Sequence, residues 1–129
     1  MITLLATCAV VSLTIPPTRE ISFDRLIMAV EEVENGKWTS PGGRACWTPR
    51  TWAQYSELRY KYAQDRACSR DAMRHLFADV TARLIAEGIT PTHWRLAMAW
   101  HRGYEGAIKA RRTKDDYGER AAALAEEKR

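Results

Sequence analysis

The sequence predicts an all-α fold. Three observations carry that expectation. Apolar residues recur at three- and four-residue spacing in successive segments, hydroxyl or acidic caps open those segments, and glycines close several of them. No segment alternates with the period of two that a half-buried strand shows. At 129 residues the chain has room for one hydrophobic core. It divides into an apolar N-terminal segment, residues 1–18, and one folded domain, residues 19–129.

Ser22 is a cap for a first helix whose Phe23, Leu26, Ile27, Val30 and Val33 share one face, with Asn35-Gly36 as its stop. Lys37 to Cys46, containing Pro41-Gly42-Gly43, reads as a loop with room for a small irregular hairpin. Thr48-Pro49 pairs a cap with a first-turn proline and opens a second helix running through Trp52, Tyr55 and Leu58 toward Tyr62. Ser69 is expected to cap the third helix, whose Met73, Leu76, Phe77, Val80 and Leu84 form the cleanest stripe before Gly88. Thr90-Pro91 repeats the cap-plus-proline start for a fourth helix, through Trp94, Ala97 and Trp100 to Gly103. A short helix from Glu105 to Ala110 and a charged tail helix from about Asp116 complete the chain.

Met1 to Ile15 carries no charged side chain and ends at Pro16-Pro17. It falls short of the about 20 apolar residues a membrane span needs, so no stable span is expected. Its length suits the apolar core of a secretory signal, which implies a periplasmic or secreted domain. A misassigned start or a buried N-terminal helix is the alternative, because the positive start of a signal is missing and no good small-x-small cleavage site stands before Pro16. Removal of the leader takes Cys8 away and leaves Cys46 and Cys68. A disulfide between them would close a loop of about twenty residues, worth about 3 kcal/mol; two free thiols are the alternative.

Charge narrows the partner little. Twenty Lys and Arg against sixteen Asp and Glu give +4, with both signs scattered along the chain. No basic recognition helix stands out, so a nucleic-acid partner is not expected and a basic helical nucleic-acid binder is the least favoured reading. His75, His93 and His101 lack metal-ligand spacing, and no phosphate-cradling glycine loop is present. Neither metal nor cofactor is implied.

One acid stands out by helix arithmetic. At about 100° per residue, Glu34 falls in the arc of Phe23, Ile27 and Val30, Glu32 points away, and Glu31 lies at the margin. Burial and the negative end of a helix dipole both favour a carboxylate's protonated form, the form that donates to a leaving oxygen. A last-turn Glu turned out to solvent is the competing interpretation.

Ala29-Val30-Glu31-Glu32-Val33-Glu34-Asn35-Gly36 resembles the first motif of the soluble lytic transglycosylases, a lysozyme-like family in which an apolar helix ends in a catalytic Glu followed by Ser-Gly. Gly43-Arg44-Ala45-Cys46-Trp47-Thr48-Pro49-Arg50-Thr51 is similar to the second motif in its Gly, Pro and Thr spacing, with Cys46 in place of a Gln. Ala99-Trp100-His101-Arg102-Gly103 resembles the third, Ala-Tyr-Asn-x-Gly. The resemblance covers residues 29–108. It implies a lysozyme-like helical domain that cleaves the β-1,4 bond between N-acetylmuramic acid and N-acetylglucosamine of peptidoglycan strands. Glu34 would serve as acid and then base, and Trp47, Thr51, Trp52, Trp100 and His101 would line the sugar groove. A secretion or phage assembly would be a partner in keeping with such an enzyme. Trp100 and His101 replace the family's Tyr and Asn, so a glycan-binding protein without turnover stands beside the enzyme as an alternative.

Overall fold

The computed structural model describes residues 20–34 and 47–127. They fold into five α-helices and one 3-10 helix, with no strand among the described residues. The helices are α1 (Phe23–Val33), α2 (Pro49–Tyr55), α3 (Arg66–Ala86), α4 (His93–Lys109) and α5 (Tyr117–Glu126), and the 3-10 helix is Tyr60–Gln64. The N-terminal leader, the Asn35-Gly36 stop, the loop with its expected hairpin, and Cys46 lie outside the described residues.

Local chemistry sets most of the boundaries. Ser22 caps α1 by accepting the Arg25 N–H, and Thr48 caps α2 by accepting the Thr51 N–H, with Pro49 in the first turn. Gly88 and Gly103 both take the left-handed conformation, at φ 75° and 83°. Gly88 follows the end of α3, whereas Gly103 breaks α4, so that Trp100 and His101 end one segment and Tyr104 begins the next.

Three boundaries differ from expectation. α2 stops at Tyr55, because the Trp52 indole donates to the Leu58 carbonyl and draws the following chain back across the helix end. α3 starts earlier, capped by Asp65, whose carboxylate accepts the Cys68 N–H at 2.9 Å; Ser69 therefore lies inside the helix and is buried. α4 is capped by Thr92 instead of Thr90, so Pro91 precedes the cap.

The core is continuous. Leu26, Ile27 and Val30 of α1 meet Met73, Phe77 and Leu84 of α3 and Leu96, Ala97 and Met98 of α4. The tail helix α5 packs mainly on α4 and α1, presenting Ala121, Ala122 and Ala125. Small residues allow that close approach. A Cβ built on Gly118 would sit 2.7 Å from both Met98 Cγ and Trp94 Cδ1, and 2.8 Å from the Trp94 carbonyl oxygen. Gly118→Ala is therefore expected to cost about 1–3 kcal/mol, the usual range for overpacking a core. Denaturant unfolding checks this; an unchanged midpoint would mean that α5 does not press on α4 in this way.

Candidate active site

α1 carries Glu34 at its C-terminal end. Glu34 is the C-cap residue at φ −78° and ψ 1°, and its N–H donates to the Val30 carbonyl at 2.9 Å. The side chain is half-buried. Its Oε1 accepts a hydrogen bond of 2.8 Å from the Tyr117 hydroxyl, a contact between residues 83 positions apart.

Asp116 sets the position of Tyr117. Its carboxylate caps α5 by accepting the Glu119 N–H at 2.7 Å, accepts the Thr113 N–H at 2.9 Å, and takes the Trp94 indole N–H at 3.0 Å. Burial pushes the Asp116 carboxyl up, but the backbone hydrogen bonds from Thr113 and Glu119 and the indole bond outweigh it, holding the group below its ordinary value. The start of α5 is thus tied to α4. On that base the Tyr117 ring stacks flat on His101, with centroids 4.2 Å apart and planes 4° from parallel.

His101 connects this pair to a cleft. The cleft, of about 410 Å³, lies between α2, α3 and α4, and Thr48, Thr51, Trp100, His101 and Arg83 are among its lining residues. Its volume is within the roughly 300–1,000 Å³ of ordinary ligand pockets. Thr51 stands at its rim with its hydroxyl 2.9 Å from that of Thr48. Trp100 is partly exposed. Glu34 bonds Tyr117 and Tyr117 stacks on His101, which shares the cleft with Trp100 and Thr51; Glu34 and Tyr117 themselves are not among the lining residues. Among the described residues no acidic side chain, Glu34 included, lines the cleft.

The other two tryptophans expected in the groove lie in the core. Trp47 and Trp52 are each 1% exposed and neither offers a ring face to a ligand. Trp47 donates its indole N–H to the buried Ser69 hydroxyl at 2.9 Å and meets Trp52 and Trp100 edge-on, at 5.3 and 4.9 Å between centroids. The Tyr60 hydroxyl donates to its carbonyl. These rings support Trp100 from behind. The early start of α3 explains the difference, since it turns Ser69 inward as a hydroxyl partner for Trp47.

The disulfide expected between Cys46 and Cys68 is not part of the described structure. Cys68 is a free, half-buried thiol, and Cys46 lies outside the described residues. Burial, the hydrogen bond to Asp65 and that carboxylate's charge push the Cys68 thiol up, which keeps it protonated.

Glu31 is not marginal. It is 5% exposed and is gripped by Arg66 and Arg70 of α3, each donating through Nε and Nη2 at 2.6 to 3.1 Å. The i, i+4 spacing of the two arginines was the available sequence signal. Tyr117 and Arg83 also belong to the site without having been singled out; nothing local marks either. Among the described residues no three His, Cys, Asp or Glu side chains stand together as metal ligands, and no helix is long and apolar enough to cross a membrane. The chain matches no protein-family model, and no curated protein or solved structure is significantly similar to it.

Proposed function

We propose that this domain is a peptidoglycan lytic transglycosylase of the lysozyme-like kind, cleaving the β-1,4 bond between N-acetylmuramic acid and N-acetylglucosamine with Glu34 as acid and base. The observation that carries the proposal is the Tyr117–Glu34 hydrogen bond beside the cleft lined by Trp100 and His101. A carboxyl held through one oxygen by a fixed phenol keeps one orientation, and its second oxygen then serves for proton transfer. The indole of Trp100 supplies an apolar surface for a pyranose ring.

Most glycosidases set two carboxylates across the scissile bond. Single-Glu chemistry is what the motif resemblance implies instead, with Glu34 standing outside the described lining of the cleft and joined to it through Tyr117 and His101. Glu34 gives its proton to the departing glucosamine O4 as the bond to the muramic C1 breaks. It then takes the proton of the muramic C6 hydroxyl as that oxygen closes on C1, leaving a 1,6-anhydro end and a regenerated acid. Such an enzyme works in the periplasm or outside the cell, alone or within a secretion or phage assembly.

Mass spectrometry of products from purified peptidoglycan is the test. Anhydro ends, one water lighter than hydrolysed ends, are expected. Hydrolysed ends would replace the mechanism with that of a lysozyme, and strands bound but uncut would make the protein a glycan binder.

A further inference from the structure

Arg83 projects from α3 into the cleft with its guanidinium carbon over the Tyr104 ring, 3.8 Å from the centroid. The two carboxylates best placed on the same helix to neutralise it are Asp79, four residues before, and Glu87, four residues after. Neither does so. Asp79 accepts the Tyr55 hydroxyl at 2.7 Å, and Glu87 accepts the Tyr104 hydroxyl. Burial, followed by the bond to Asp79 and its charge, pushes the Tyr55 hydroxyl up to about 12, so it remains a neutral donor committed to that carboxylate. Among the described residues no carboxylate lies within ion-pair distance of Arg83. A guanidinium without an ion-pair partner therefore faces a cleft whose other polar groups include the Thr48 and Thr51 hydroxyls and the Gln54 amide.

We propose that Arg83 forms an anion subsite that takes a carboxylate of the bound strand. The assignment rests on the glycan-cleaving reading above, under which two carboxylates are within chemical reach: that of the muramic lactyl group when the sugar carries no peptide, and those of the stem peptide when it does. The cleft adjoins His101, whose ring stacks on Tyr117, which bonds Glu34. A carboxylate held at Arg83 would thus set the strand's register relative to the acid. Arginine suits the task because its planar fork pairs with a carboxylate through two parallel hydrogen bonds.

The test is calorimetric binding by the full chain carrying Glu34→Gln, which prevents turnover, with and without Arg83→Gln. The ligands are chitotetraose, a muramic-acid-containing tetrasaccharide without peptide, the same tetrasaccharide with stem peptides, the free stem peptide, and a DNA duplex. At least one carboxylate-bearing glycan is expected to bind about tenfold or more tightly than chitotetraose, in line with a charge-assisted hydrogen bond. Arg83→Gln should erase that advantage, weakening the carboxylate-bearing glycans by about tenfold more than it weakens chitotetraose, and Arg83→Lys should restore part of it. Which tetrasaccharide holds the advantage identifies the carboxylate. Glycans bound equally well whatever their charge would overturn the subsite and leave the glycan reading standing. Free peptide bound through Arg83 with no glycan bound would keep the subsite and overturn that reading. DNA bound more tightly than every other ligand would overturn both. Arg83 is exposed, so both variants should fold, which circular dichroism verifies.

Discussion

Replacing Glu34 by Gln is expected to reduce cleavage of purified peptidoglycan by about 10²–10⁴-fold, the usual worth of a general acid, while the fold survives. The amide keeps the shape of the carboxyl, and its carbonyl oxygen can still accept the Tyr117 hydroxyl that Glu34 Oε1 accepts at 2.8 Å. Only the transferable proton is lost. Glu32→Gln is the matched control, being an exposed acid two residues earlier on the same helix, and it should change the rate little. Release of soluble muropeptides gives the rate and circular dichroism reports the fold. A folded Glu34→Gln protein cutting at the parent rate would remove Glu34 from the mechanism.

Glu31→Gln should act on stability. The Glu31 carboxylate is buried and accepts four hydrogen bonds from Arg66 and Arg70, joining α1 to α3. Breaking a fully buried pair from one side costs about 3–5 kcal/mol. Here Arg66 is 53% and Arg70 32% exposed, so both regain water when released. A cost of about 2–3 kcal/mol is the corresponding expectation. It depends on pH. Burial pushes the Glu31 carboxyl up, but the hydrogen bonds and charges of Arg70 and Arg66 outweigh it and hold the group below its ordinary 4.5. A carboxyl depressed by folding contributes fully above its unfolded value, and the contribution drains away as pH falls through the folded one. The stability gap between parent and variant should therefore be full at neutral pH and narrow below about pH 4.5. Denaturant midpoints at several pH values measure it, and a constant gap would show that the carboxylate's charge contributes nothing.

The all-helical class was legible because its signals are local. Ser22, Thr48-Pro49, Gly88, Gly103 and Asp116 each act within one turn of their own position. Ser69 misled because a hydroxyl before an apolar stripe resembles a cap, whereas here it receives the Trp47 indole from 22 residues away. Helix arithmetic placed Glu34 toward the buried face, and its side chain is half-buried. The burial of Glu31 needed more than its own helix, because it depends on Arg66 and Arg70, whose i, i+4 spacing shows that they share a face but not that α3 sets that face opposite Glu31. The tryptophans show the same limit, since composition marks them as suited to a sugar groove and packing puts Trp47 and Trp52 in the core. Tyr117 had no local mark at all, being brought to Glu34 by the docking of α5 on α1 and α4.

That docking has a consequence for durability. Residues 111–115, which lead from α4 toward α5, are all exposed, and Asp115 holds a left-handed φ of 66° that L-residues seldom adopt. Exposed connections of this kind are where proteases nick folded domains first. A single cut there would leave the cleft and Glu34 chemically intact. It would nonetheless turn the Tyr117 contact from an intramolecular one into the association of a short peptide, held by its alanine face, the Asp116–Trp94 bond and the stack on His101. In an environment rich in proteases, the working life of the domain would then be set by this connection of five residues and not by the groups that line its cleft.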